Sequence, residues 1–266
     1  MRHALRGIDG VIQAAAQIYG VAGFHRYPAD ILQLDTMLHG LVLRAAAAEG
    51  VGRVVYISSS MVYERERDIA REDDVPNMQV PFTDYGLSKL LGERLSQAFA
   101  EQYELAYTIW RPFNIIGLHE TAEGQDAGVS HVFADFVQRI VVEQQNPMDI
   151  LGDGRQVRCF TWVGDVARAI ADFSFVEATR NQDFNLGNPE PVTMIELARR
   201  LHALYLESTG RKEVLRFRHL PVYPDDVRIR IPSIEKARAI LGWEPSVRLD
   251  EMLRRVLIHR LGGIAA

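Results

Sequence analysis

RVVYISSSMVYERERDIAREDDVPNMQVPFTDYGLSKLLGERLSQAFAEQYELAYTIWRPFN, residues 53–114, decides the fold class. Arg53-Val54-Val55-Tyr56-Ile57-Ser58 is a β-branched run without clean alternation, which predicts a strand buried on both faces. Residues 64–80 are polar and turn-rich and predict a surface loop. Residues 84–103 predict a long helix, and Leu105–Arg111 a second apolar strand that Pro112 stops. Strands separated by helices are the pattern of a parallel sheet, because parallel neighbours need a crossover between them.

The same pattern extends upstream. Gly10-Val11-Ile12-Gln13-Ala14-Ala15-Ala16 predicts a short strand running into a turn of small residues. Residues 29–50 carry Ile31, Leu32, Leu34, Met37, Leu38, Leu41 and Leu43 at helical spacing and end at Gly50. Past residue 115 the pattern loosens, with glycines and acidic residues dominating 117–128. Helices are predicted at 129–145, 164–178, 193–208 and 249–260, while Pro221, Pro224, Pro232 and Pro245 punctuate the last stretch. The reading is an α/β chain: a sheet-bearing part over 1–117, then a smaller helical lobe over 118–266 with segments returning to the sheet.

Composition narrows the function classes. The chain has 266 residues, 47% hydrophobic and 24% charged, as in an ordinary globular protein. Thirty basic residues against 35 acidic leave a net charge of -5, without the basic excess of a nucleic-acid binder. Cys159 is the only cysteine, which excludes an intrachain disulfide and a cysteine zinc cage and points to a reducing, cytoplasmic setting. No apolar run reaches the length of a membrane span, and no metal is expected.

Two segments carry chemistry. Tyr85-Gly86-Leu87-Ser88-Lys89 opens the predicted helix with a phenol and an amine at i and i+4, on one face. An ammonium beside a phenol favours the phenolate, so Lys89 is expected to lower the pKa of Tyr85 and make it a proton carrier near neutral pH. Ile57-Ser58-Ser59-Ser60-Met61-Val62-Tyr63 follows the preceding strand at its carboxyl end, where open α/β sheets bind ligands. A serine there can donate to a substrate oxygen or simply make a turn.

In this order the segments resemble the extended short-chain dehydrogenase/reductases, specifically the nucleotide-sugar epimerase/dehydratase group. Asp9 to Ala16 resembles the family's fourth strand with its Ala-Ala contact to the dinucleotide. Ile57–Tyr63 is similar to the Ser-Ser-x-x-Val-Tyr segment, with Ser59 four before Tyr63, and Tyr85 and Lys89 match the catalytic pair. Arg111-Pro-Phe-Asn114 resembles the Arg-Pro-x-Asn segment, and Gly152-Asp-Gly-Arg-Gln-Val-Arg158-Cys-Phe-Thr161 the segment whose arginine binds the substrate diphosphate. Phe184 to Asn188, Asp226 to Ala237 and Leu241-Gly-Trp-Glu-Pro245 match further signatures.

The resemblance implies a Rossmann-like parallel sheet, NAD as cofactor and a nucleotide-diphosphate sugar as substrate. It implies that Tyr85 takes a proton from a sugar hydroxyl, commonly at C4, while hydride passes to NAD and returns to the other face, an isomerase reaction. Ser59 would bond the reacting oxygen and Lys89 the nicotinamide ribose. Ala14, Ala15, Ala16, Ser58, Tyr85, Lys89 and Pro112 would face the cofactor; Ser60, Met61, Asn114, His131, Arg158 and Arg230 would face the substrate. Arg158 and Arg230 suit a diphosphate or a salt bridge, and His131 a substrate contact or a helix cap. The resemblance also implies a homodimer paired through helices at 29–48 and 84–103.

Two departures qualify the reading. The family opens with a Gly-x-x-Gly-x-x-Gly loop that cradles the pyrophosphate. Gly50-Val-Gly52 precedes a strand and is not that loop, so the sheet reads as N-terminally truncated, by on the order of 60 residues or about two strand–helix units. A non-catalytic remnant that binds a nucleotide-sugar or a partner is the alternative this raises. At Ser60-Met61 the family's dehydratases carry an Asp-Glu pair and its decarboxylases a glutamate at the second position. Methionine moves no proton, which leaves a simple 4-epimerase or a reductase, although the Asp226…Arg230-x-Pro-Ser tail resembles the decarboxylase branch.

Overall fold

Non-alternating apolar strands need cover on both faces, and the structure provides it. The computed structural model describes residues 2–17, 20–65, 69–122, 130–222 and 227–264. Asp226 of the C-terminal signature, Val129 at the expected start of a helix and residues 66–68 of the expected loop lie outside the described residues.

The chain enters β1 (Gly10–Gln13), a short α1 (Val21–Arg26), α2 (Pro28–Glu49) and β2 (Arg53–Ile57). Pro28 sits at the first turn of α2, where its missing N–H is not needed, and Gly50 closes the helix in the left-handed conformation at φ 70°. A 3-10 turn at Ser60–Tyr63 and a two-residue β3 (Ile69–Ala70) lead to α3 (Asp84–Tyr103), β4 (Ala106–Pro112) and β5 (Ile115–Ile116). Thr83 caps α3, its hydroxyl accepting the Gly86 N–H at 3.1 Å. Strands β1, β2, β4 and β9 (Gln182–Leu186) form one parallel sheet in the order β1-β2-β4-β9. The strand from the second half therefore completes the sheet of the first.

Between β5 and β9 the chain forms α4 (Val132–Val137), a π turn at Gln138–Val142, β6 (Met148–Leu151), β7 (Val157–Cys159), β8 (Thr161–Trp162) and α5 (Val163–Phe173). After β9 come β10 (Pro191–Thr193), α6 (Met194–Thr209), β11 (Phe217–Leu220), β12 (Ile229–Pro232), α7 (Glu235–Leu241) and α8 (Leu249–Ile264). The second half holds the expected helices, as α4 with its π turn, α5, α6 and α8, and adds short strands that its periodicity does not predict. It carries a mixed sheet, β10-β7-β12-β3, and a parallel pair of β6 and β11. These strands have only two to four residues, too few for a period to show.

The expected loop at 64–80 is corrected too. Ile69 and Ala70 pair with Ile231 and Pro232 of β12, and the Ala70 carbonyl accepts from the Ser233 N–H and the Asn185 side chain. Val42, Leu43, Ala46, Val54 and Leu105 pack one face of the central sheet. Val55, Trp110, Phe184, Val166 and Ala169 pack the other. A third core, with Phe133, Phe136, Met148, Leu201 and Leu253, fills the second half.

Candidate active site

The carboxyl ends of β1, β2 and β4 open into a cleft of about 340 Å³. Ser59 leaves β2 extended, and its hydroxyl accepts the Met61 N–H at 3.1 Å, which fixes the turn. Tyr85 stands on the first turn of α3 and lines the cleft together with Ser59. Phe24 of α1 stacks on the Tyr85 ring, with centroids 4.8 Å apart and planes 5° from parallel. Gly86 is needed beside it, because a Cβ there would lie 2.7 Å from the Met61 carbonyl oxygen. Glu64 pins the approach to α3 by accepting from the Thr83 N–H at 2.9 Å and from the Thr83 hydroxyl.

Lys89 lies one turn further along, its ammonium 5.5 Å from the Tyr85 ring centroid and 5.6 Å from that of Tyr56. Its ion-pair partner is Asp35 of α2, at 3.7 Å. The expectation that Lys89 acidifies Tyr85 is therefore corrected. Burial pushes the Tyr85 phenol up to about 12, Asp35 adds to the rise, and the Ser59 hydrogen bond and the charge of Arg230 oppose it. The positive charge that lowers the phenol is that of Arg230, while the Lys89 ammonium is paired with Asp35. Burial also lowers the pKa of Lys89, which Asp35 raises.

The residues expected from sequence converge. Ala14, Ala16, Ser58, Ser59, Ser60, Met61, Tyr85, Lys89, Pro112, Asn114, His131, Arg158 and Arg230 all line the cleft. Ala15 does not line it; its carbonyl accepts from the Gln13 side chain at 3.1 Å. The Ser58 hydroxyl is occupied, donating to Glu93 at 2.5 Å, so the position assigned to the cofactor has a structural bond first. The Asn114 amide donates to the Cys159 carbonyl at 2.9 Å from a left-handed backbone at φ 34°. His131 stands just before α4 with Nδ1 2.8 Å from a Glu120 carboxylate oxygen, and makes no side-chain cap.

Arg158 on β7 and Arg230 on β12 are partners in register across parallel strands. That places two guanidinium-bearing side chains next to each other along one wall of the cleft, an arrangement suited to a diphosphate.

Several contributors escape the sequence reading. Beneath the cleft, Glu93 grips Arg111 through two bonds of 2.8 and 2.6 Å. Arg111 also pairs with Asp183 at 2.7 Å and donates to the Tyr63 hydroxyl at 3.0 Å, which donates to Asn185 at 2.9 Å. Opposed charges hold the Arg111 pKa high and that of Asp183 low, against the cost of burial. A signal for Asp35 exists: it falls in the buried stripe Ile31, Asp35, His39, Val42 of α2, where an unpaired charge would not be tolerated. Phe24 has no such signal, because α1 is six residues long.

A family model described as the NAD dependent epimerase/dehydratase family matches residues 1–187. The UDP-glucose 4-epimerase of Thermotoga maritima, solved with UDP-glucose, is 27% identical with a TM-score of 0.81, covering 96% of this chain and 78% of its own. MoeE5, solved with UDP-glucuronic acid and NAD, is 28% identical with a TM-score of 0.81, covering 98% and 82%. DesIV, a dTDP-glucose 4,6-dehydratase of Streptomyces venezuelae, has a TM-score of 0.83 over 99% and 76% of the two chains; at 22% identity it shares the fold.

Proposed function

Because the chain belongs to the NAD dependent epimerase/dehydratase family, we propose that it epimerises a nucleoside-diphosphate sugar by transient oxidation of one hydroxyl, as a 4-epimerase does. The observation that carries this reading is the meeting in one cleft of Ser59, Tyr85, Lys89 and the registered pair Arg158 and Arg230. Ala14 and Ala16 are small enough for a flat ring to approach the backbone, and Lys89 and Pro112 line the same cleft, so these residues suit the nicotinamide–ribose half of NAD. Bound there, NAD supplies the hydride exchange and, when oxidised, a positive charge that favours the phenolate.

Tyr85 then exchanges the proton of the sugar hydroxyl, and Ser59 holds the same oxygen. Arg158 and Arg230 hold the diphosphate and leave the sugar to reach Tyr85. Met61 packs with Phe24 and Tyr85 and brings no proton-moving group, which favours epimerisation over loss of water. Two copies are inferred to pair through α2 and α3, where Leu34, Met37, Leu41 and Leu91 are exposed.

The test is incubation with NAD and UDP-glucose or UDP-glucuronic acid, with the products separated by chromatography. An epimer should form, and Tyr85→Phe should slow it by at least about 100-fold. A Tyr85→Phe variant as active as its parent defeats the reading. Absence of calorimetric heat with NAD and NADH turns it toward a non-catalytic binder of nucleotide-sugars or of a partner.

A further inference from the structure

A carboxylate buried beside a reacting pair needs a reason, since its desolvation must be offset by strong partners. Asp35 and Lys89 have side chains only 4% exposed each. One Asp35 oxygen accepts the Gln17 N–H at 2.8 Å, at the end of the small-residue turn that follows β1. The other lies 3.7 Å from the Lys89 ammonium and 3.4 Å from the Ser88 hydroxyl. Asp35 thus joins three elements: the turn after β1, α2 and the helix that bears Tyr85. We propose that Asp35 is a positioning residue that anchors the Lys89 ammonium between α2 and α3 and ties it to the turn lined by Ala14 and Ala16.

Among the described residues, the titratable and charged groups placed against Lys89 come from three elements. Asp35 and His39 face it from α2, Tyr56 from β2 and Tyr85 from its own helix. Of these, Asp35 is the carboxylate and the ion-pair partner. Without it, the ammonium would keep its burial, lose its counter-charge and turn toward the two phenol rings. The inference rests on the Tyr85–Lys89 reading for its meaning, while the anchoring itself is a matter of contacts.

The chain has three lysines, Lys89, Lys212 and Lys236, so Cε-labelled lysine gives a simple carbon spectrum in the full-length protein. The Lys89 signal is assigned by its loss in Lys89→Arg. Titration from about pH 7 to about pH 11 brackets the ordinary lysine value. In Asp35→Asn the Lys89 midpoint should fall by at least about one pH unit, and Asp35→Glu should restore most of it. Asp35→Ser, smaller and uncharged, is the second variant should the asparagine fail to fold, as judged by circular dichroism. Coincident Lys89 midpoints in the parent and a folded uncharged variant overturn the inference. The two readings fail separately: a fully active Tyr85→Phe removes the catalytic assignment and leaves the Lys89 titration standing. A dead Tyr85→Phe with an unmoved Lys89 midpoint removes only the role of Asp35.

Discussion

At Tyr85 the burial that shapes the cleft works against ionisation, and the phenol stays protonated near neutral pH unless a positive charge joins it. Its placement depends on small neighbours as much as on partners. A Cβ at Gly86 would meet the Met61 carbonyl at 2.7 Å and the Pro81 ring at 2.9 Å, and the carbonyl belongs to a turn already held by Ser59. Gly86→Ala should therefore cost about 1–3 kcal/mol in urea denaturation, as overpacking does. It should reduce turnover further by shifting the neighbouring Tyr85 within the cleft. An unchanged urea midpoint together with unchanged turnover would show that the turn yields without strain. Arg158 and Arg230 follow the same logic, their value residing in register across two strands.

At the scale of elements, α2 and α3 pack side by side through a seam that is polar at Asp35, His39, Lys89 and Ser96. His39 bridges them, with Nε2 2.9 Å from the Ser96 hydroxyl and its ring stacked on Tyr56 at 4.0 Å. Burial, with the nearby Lys89 charge adding to it, lowers the His39 pKa from 6.5 to about 4. The folded state thus resists a proton that the unfolded chain accepts at 6.5. Between pH 6.5 and 4 the unfolded state binds more protons, so this stability is present above 6.5 and is lost as the pH falls, by about 3 kcal/mol in all. His39→Gln should flatten the acid limb of a stability–pH curve across that window. Parallel limbs for parent and variant would assign the acid sensitivity elsewhere. The extents of α2 and α3 were legible in the sequence, because each is a long helical run, and Gly50 ends the first; the Thr83 cap of the second came with the structure. The strands β5 to β8 and β10 to β12 were not, since two to four residues hold no periodicity and their pairing comes from distant partners.

At the scale of the whole molecule, α2 leaves Leu34 41%, Met37 50% and Leu41 50% exposed on one side, and α3 leaves Leu91 38% exposed. Spacing of three and four residues puts the first three on one helical face. If two copies pair there, Leu41→Glu should convert a dimer to a monomer in sedimentation, with its circular dichroism spectrum retained. A parent chain that already sediments as a monomer refutes the pairing. The sequence by itself determined the parallel α/β core and the family, and it placed Tyr85 and Lys89 one turn apart on one helix, because strand runs, helix stops and i, i+4 spacing are local properties of the chain. It also indicated Arg158 and Arg230 as candidates one by one. Only the tertiary structure decided that those two arginines stand side by side, that Phe24 covers Tyr85, that Ser58 belongs to Glu93 and that Lys89 is held by Asp35. These residues lie tens of positions apart, and their charges and contacts act through space, where burial and distance set the energies and the order of the chain does not.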